Sequence, residues 1–328
     1  MRVGTIGSGA IVDRMIESMQ VTEHIEVIAV YSRTMDRAQE FAQKHHVKKW
    51  YDSLEQMLAD DEIDTIYIAS PNSLHFEQSK KAILAHKHVI CEKPFTATRQ
   101  ECDALFDLAK ENGVLIFEAI TTMHVPNYHI VKEKLPMVGD LKMIQCNFSQ
   151  FSSRYDKYKN REHTNVFDPA YQGGALMDIN VYCIHFVTGI LGKPDSVQYI
   201  ANQGYNGIDT SGVLIMKYPN VLAVCMGAKD SSSENHVYLQ GDKGTIRVYG
   251  SSCGVCQHVE WWAPKQDMIG KKDTAQATPL GIDQKYHMRY ECEEFERILA
   301  EQDMQAYARN QAQTKLVVSI LEEARSQM

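Results

Sequence analysis

The sequence predicts an α/β protein in two parts, a parallel-sheet domain followed by an α+β domain. Three observations carry that reading. The first third alternates short apolar runs with amphipathic helical patterns, and the second half replaces them with strands joined by tight turns. The third is length: 328 residues exceed the size at which a single core usually stops growing.

Val3 to Ile6 reads as a strand that breaks at Gly7-Ser8-Gly9, after which Ile11, Met15, Ile16 and Met19 recur at helical spacing. Ile25 to Tyr31 is almost continuously apolar, as a strand covered on both faces must be. Ala38, Phe41 and Ala42 mark the next helix, Ser53 with Gln56 forms a capping box before a short one, and Thr65 to Ala69 is again a strand. A helix from about Leu74 to Ala85 leads to the strand at Val89-Ile90. Thr98 with Glu101 is a second capping box, opening a helix with Ala104, Leu105, Leu108 and Ala109 on its face and a stop at Asn112-Gly113. Val114 to Phe117 is one more strand. Strand and helix units of this length imply right-handed crossovers and a parallel sheet, with the boundary near Ala119 to Val125 and domains of 1–122 and 123–328.

Beyond the boundary, Lys142 to Phe151, Val197 to Gln203, Gly212 to Lys217, Val221 to Gly227, Val237 to Gln240 and Thr245 to Tyr249 read as strands. Turns such as Tyr218-Pro219-Asn220 and Gly241-Asp242-Lys243-Gly244 make them hairpins, hence an antiparallel or mixed sheet. One strong helix, roughly Ala175 to Leu191, interrupts the run, and helices near Tyr286 to Leu299 and Ala308 to Ala324 close the chain.

Composition narrows the function. The net charge of −8 with no extended run of Lys or Arg argues against nucleic acid and anionic membrane as partners. The start, Met1 to Ile6, is too quickly interrupted by glycine for a signal peptide, and no later run approaches the ~18 apolar residues of a span, so a cytoplasmic protein is expected. The eight cysteines are scattered, as reduced thiols are. Cys253-Gly254-Val255-Cys256 is the single CxxC; without a second pair at zinc spacing it reads as two thiols in a loop or strand, and no metal is implied.

The chemistry-bearing motifs lie at strand ends. Gly7, Gly9 and Val12 form GxGxxV, a weakened dinucleotide fingerprint whose context, strand before and helix after, is that of a Rossmann-type domain. Where an NAD-specific chain would carry an acid, this one has Ser32-Arg33; a hydroxyl and a guanidinium suit the 2′-phosphate of NADP, with NAD remaining possible. Lys93, in Cys91-Glu92-Lys93-Pro94, ends a strand where open α/β sheets bind ligands. Asp178, Tyr182 and His185 fall on one face of the central helix. From spacing alone Tyr182 reads as a core aromatic and His185 as a satisfied core histidine. A lysine ammonium close to a tyrosine would, however, favour phenolate and make it a usable base.

This order of motifs resembles the glucose-fructose oxidoreductase and inositol dehydrogenase family (Gfo/Idh/MocA) along essentially the whole chain. The matching elements are the Gly7 to Val12 turn, Ser70-Pro71-Asn72-Ser73-Leu74-His75, Cys91 to Pro94, Glu118-Ala119 and Gly173 to Asp178. The resemblance implies a C-terminal domain with an open, mainly antiparallel sheet whose outer face mediates a homodimer or higher homo-oligomer. It implies that Lys93 is catalytic and that Tyr182 stands where most members have the acid/base histidine, as in the branch similar to dimeric dihydrodiol dehydrogenases and NADP-dependent D-xylose dehydrogenases. Asp178 would orient the substrate or Lys93, and His185, outside the motif position, would be structural or line the pocket.

The same resemblance implies cofactor contacts at Gly7, Ser8, Gly9, Ala10 and Ile11, at Ser32 and Arg33, at Ser70, Asn72 and His75, and at Glu92, Lys93 and Glu118. The implied reaction is hydride transfer between NADP(H) and a sugar, cyclic polyol or trans-dihydrodiol hydroxyl. A redox-neutral sugar enzyme and a non-catalytic sugar- or cofactor-sensing regulator are the alternatives. One departure stands out. Ile120-Thr121-Thr122-Met123-His124-Val125-Pro126 lacks the Trp and Arg the branch tends to show there, which leaves the substrate open.

Overall fold

A computed structural model describes residues 1–264 and 277–328 of the chain. It divides into two units, one of residues 1–120 with 286–319, the other of residues 121–285 with 320–328.

In the first unit β1 (Arg2–Ile6), α1 (Ala10–Gln20), β2 (Glu26–Tyr31), α2 (Met35–Lys44), β3 (Lys49–Tyr51) and α3 (Leu54–Leu58) are followed by β4 (Thr65–Ile68), α4 (His75–Leu84), β5 (His88–Glu92), α5 (Arg99–Glu111) and β6 (Ile116–Ala119). The six strands form one sheet in the order β3-β2-β1-β4-β5-β6, every pair parallel. This is a doubly wound order, and it reverses between β1 and β4, the position where such sheets bind their ligands. The four residues of β4 and the four of β6 are all buried, which explains why these strands are largely apolar and do not alternate with exposed polar residues. Both predicted N-cap side chains cap their helices. Ser53 accepts the Gln56 N–H, and Thr98 accepts the Glu101 N–H while the Glu101 carboxylate accepts from the Ala97 N–H. The sequence reading missed β3, whose three residues offer no buried run.

In the second unit α6 (Pro126–Lys134), β7 (Leu141–Ser149) and α7 (Tyr155–Lys159) precede a π-helical turn (Leu176–Asn180) that runs straight into α8 (Val181–Leu191). Then come β8 (Ser196–Gln203), β9 (Asp209–Lys217), β10 (Leu222–Ala228), β11 (Asn235–Gly241), β12 (Gly244–Gly250), β13 (His258–Trp262) and β14 (Thr278–Pro279). Their sheet has the order β14-β13-β12-β11-β7-β10-β9-β8. All pairs are antiparallel except β7 with β10, which run parallel and so bring their C-terminal ends together. Side chains alternate along β9 and β10: Leu214, Met216, Ala223 and Cys225 are buried on the inner face, while Val213, Ile215, Val224 and Met226 are half-exposed on the other. The segment Pro169–Leu191 is apolar and long enough to cross a membrane by composition, contrary to the expectation that no stretch would be. Its residues are mostly buried, as those of a core helix are.

The chain closes with α9 (Arg289–Glu301) and α10 (Met304–Arg325). The 123–328 domain drawn from the sequence places both in the second half, whereas α9 and most of α10 group with the first unit. Core packing is the reason. Phe295 stacks on Phe117 at 4.6 Å, the Cys292 thiol lies 3.4 Å from the Met15 sulfur, and the Tyr307 hydroxyl accepts from the Ile116 N–H at 3.4 Å.

Candidate active site

In the first unit the site is built at the strand-order reversal. Gly7 has φ of 117°, and a Cβ there would stand 2.8 Å from the Ala69 carbonyl oxygen, so the crossing of β1 past β4 requires glycine. Gly9 caps α1 in extended conformation with no side-chain hydrogen bond, and nothing lies within 4 Å of where its Cβ would be. Ser8 leads into it, and the amides of Ala10 and Ile11 open the helix on its exposed end. Uncapped amides over bare backbone are what a pyrophosphate requires, so these residues fit a dinucleotide. Val12, in the third fingerprint position, is fully buried against Gly7, its Cγ2 lying 3.2 Å from the Gly7 Cβ position; it therefore serves packing.

Ser32 is buried at the end of β2, donating its N–H to the Tyr51 carbonyl, and Arg33 beside it is exposed ahead of α2. Asn72 begins a short 3₁₀ turn, and the Ser70 hydroxyl donates to Gln78 at 2.7 Å. His75 is fully buried, its ring nitrogens each 3.0 Å from a carbonyl oxygen, those of Pro94 and Ser70. Burial, aided by the Lys93 charge and opposed by the hydrogen bonds to the two carbonyls, holds its pKa below the ordinary value. The ring clamps the loop after β4 to the turn after β5.

That turn carries Lys93, half-buried, with a cis bond to Pro94. Two buried carboxylates support it. Glu92 accepts the Tyr67 hydroxyl at 2.7 Å and the Lys93 N–H at 3.2 Å, and Glu118 accepts the Phe95 N–H at 3.2 Å. Burial raises the Glu92 pKa, which the Lys93 charge and these hydrogen bonds oppose.

In the second unit the π-helical turn presents Asp178, and Tyr182 follows in the first turn of α8. Sequence periodicity offers an uninterrupted helix here; the wider turn shifts the side chains that follow it. Tyr182 is half-buried, its ring 5.7 Å from that of Phe148 and pressed against Gly254, where a Cβ would lie 2.7 Å from Tyr182 Cδ1. Asp178 is ion-paired with Lys229, which follows β10. His185 is fully buried within α8. The CxxC thiols do not pair with each other: Cys253 Sγ faces Cys183 Sγ at 3.4 Å, Cys256 donates to the Cys253 carbonyl, and all eight cysteines are free and buried. Lys229, against Asp178, and Gly254, against Tyr182, join the candidate site although motif reading did not single them out: Lys229 lies in no motif, and Gly254 only within the CxxC read for its thiols.

Residues 1–120 match the model of an oxidoreductase family described as having an NAD-binding Rossmann fold, and residues 136–247 match the GFO/IDH/MocA C-terminal domain. The chain belongs to the Gfo/Idh/MocA oxidoreductase family. Among Gfo/Idh/MocA members, the chain is 35% identical to the scyllo-inositol 2-dehydrogenase (NADP(+)) of Bacillus subtilis, over 100% of this chain and 97% of that one. It is 28% identical to a trans-1,2-dihydrobenzene-1,2-diol dehydrogenase of Danio rerio over 93% of this chain and 90% of the relative. A 3-ketoreductase from Actinomadura kijaniata, solved in complex with NADP and TDP-benzene, shares the fold with a TM-score of 0.86 at 22% identity, covering 99% of this chain and 97% of that one.

Proposed function

We propose that this oxidoreductase transfers a hydride between NADP(H) and a secondary alcohol carbon of a cyclic polyol, sugar or trans-diol. The observation that carries the reading is the Tyr182 environment. A half-buried phenol one helical turn after an ion-paired carboxylate, on a chain that also holds a lysine at the Lys93-Pro94 turn, matches the needs of alcohol oxidation. NADP supplies the hydride acceptor when bound. The protein's part is the proton: in oxidation the substrate hydroxyl gives its proton to the Tyr182 phenolate, and in reduction the phenol returns it to the alkoxide. Lys93 supplies the positive charge that makes the phenol acidic and donates a hydrogen bond to the reacting oxygen. Asp178 orients a neighbouring hydroxyl. The names of the Bacillus and Danio relatives support inositols and trans-dihydrodiols as the substrate class.

NADP rather than NAD follows from Ser32-Arg33 and from the NADP(+) in the name of the Bacillus relative. Calorimetry is expected to give at least about tenfold tighter binding of NADP, which one charge-assisted phosphate contact supplies, with Arg33→Ala narrowing the gap. Equal affinities in the unmutated protein would overturn the assignment. A turnover screen of inositols, aldoses and trans-diols with both cofactors tests the reaction itself. We further infer a homodimer through the half-exposed face of the second unit's sheet, where Ile200 is 59% exposed beside Val213, Ile215 and Val224.

A further inference from the structure

Two lysines are buried among the described residues, and they are compensated differently. The Lys87 ammonium, in the first unit, donates to the backbone carbonyls of Asp60 and Ile63 at 3.0 and 2.8 Å, a purely structural arrangement. Lys229, in the second, is paired with the side chain of Asp178. An ammonium taken out of water needs such a partner, because an uncompensated buried charge costs several kcal/mol.

The backbone fixes where the Lys229 charge sits. Because β7 and β10 are parallel, Lys229 emerges beside the end of β7; its N–H donates to the Thr210 carbonyl at 2.8 Å and its carbonyl accepts from the Ser152 N–H at 2.9 Å. The Phe167 ring lies 5.5 Å from the ammonium. Asp209, whose carboxyl also feels the Lys229 charge, already accepts the Leu176 N–H at 2.6 Å and the Tyr199 hydroxyl at 2.7 Å. Asp178 is the anion that meets the Lys229 ammonium directly.

The pair is asymmetric. The Lys229 side chain is 6% exposed and that of Asp178 31%, so the cation lies inside and the carboxylate outside, four residues before Tyr182. We propose that Lys229 is a positioning residue of the active site, fixing Asp178 as a rigid anion that accepts a hydrogen bond from a substrate hydroxyl adjacent to the reacting carbon. The inference rests on the reading that Asp178 and Tyr182 meet substrate. It deepens that reading to a class: neutral polyols with a vicinal hydroxyl, which an immobilised acceptor recognises and a deoxy analogue fails to satisfy.

The test uses full-length Lys229→Met, Lys229→Arg, Asp178→Asn and the Asp178→Asn/Lys229→Met double variant, with scyllo-inositol, its deoxy analogue and NADP+. Lys229→Met is expected to lower kcat/KM for scyllo-inositol by roughly 10- to 100-fold and to shrink its advantage over the deoxy analogue, while NADP+ affinity stays within about twofold. Lys229→Arg should recover most of the loss, and the double variant should be no worse than Asp178→Asn alone, as expected of two residues acting as one. Multiplicative losses in the double variant, or a lower melting temperature with unchanged kinetics, would overturn the proposal. A crystal structure of Lys229→Met gives a readout independent of turnover: the Asp178 carboxylate should have turned from its place, and finding it unmoved would also overturn the proposal. Absence of polyol turnover in the unmutated enzyme would instead count against the catalytic reading, with that crystal structure still deciding whether Lys229 positions Asp178. Should Lys229→Met not fold, Lys229→Gln takes its place.

Discussion

At the scale of single residues, the proposed chemistry reduces to one proton and the groups proposed to hold it. Tyr182→Phe removes only a hydroxyl, so fold and NADP binding are expected to survive while kcat falls by roughly 10²- to 10⁴-fold, the usual worth of general acid/base catalysis. If Lys93 acts on Tyr182 as proposed, Lys93→Met should be comparably harmful, and the double variant little worse than either, because residues acting as a unit are non-additive. Near-normal turnover in Tyr182→Phe together with inactivity in His185→Ala would move the acid/base role to His185. Asp209 yields a second expectation. Burial pushes its pKa from 3.8 up to about 6, outweighing the hydrogen bonds from the Leu176 N–H and Tyr199 and the Lys229 charge, which act the other way. Between those values the folded protein keeps a proton that the unfolded chain has released, so stability from this group falls as pH rises through the window and levels off above it. The loss is on the order of 2 to 3 kcal/mol, and denaturant titrations across that range should show it as a slope that Asp209→Asn removes. An identical slope in the variant would mean that Asp209 is not the group responsible.

At the scale of elements, Gly254 limits where the Tyr182 ring on α8 can lie. A Cβ at Gly254 would stand 2.7 Å from the Tyr182 ring and 3.3 Å from the Thr122 hydroxyl, so Gly254→Ala must push the ring by some tenths of an ångström. Its kcat is expected to drop by at least about tenfold with NADP affinity unchanged, since small misplacements of catalytic groups are costly and an overpacked contact costs folding only about 1–3 kcal/mol. Thermal melts alongside kinetics distinguish this from simple unfolding. The elements differ in how far sequence reveals them. The Ser53 and Thr98 caps are local hydrogen bonds encoded within four residues, and both form. The π-helical turn at Leu176–Asn180 was not legible, because its apolar residues suit an α-helix equally well and only packing on the sheet selects the wider turn.

At the scale of the whole molecule, the exposed apolar positions of the second sheet make an assembly test possible. Ile200→Glu places a charge on the inferred dimer face, at its β8 edge, and is expected to shift the protein to monomer in sedimentation velocity, with near-UV circular dichroism preserved. A variant that sediments as the unmutated protein does would exclude that face.

Sequence by itself determined the alternation of strand and helix, the glycine turn after β1, Lys93 at the end of β5 and the order of motifs that ends in Asp178 and Tyr182. These are properties of periodicity and of backbone conformation within a few residues, which a chain carries wherever it folds. Tertiary structure alone decided the parallel pairing of β7 with β10, the return of α9 to the first unit's core, the meeting of Cys253 with Cys183 rather than Cys256, and the Lys229 ammonium beneath Asp178. Each joins residues tens to hundreds of positions apart. Such contacts depend on which surfaces remain to be buried once local elements have formed, and no local pattern records that.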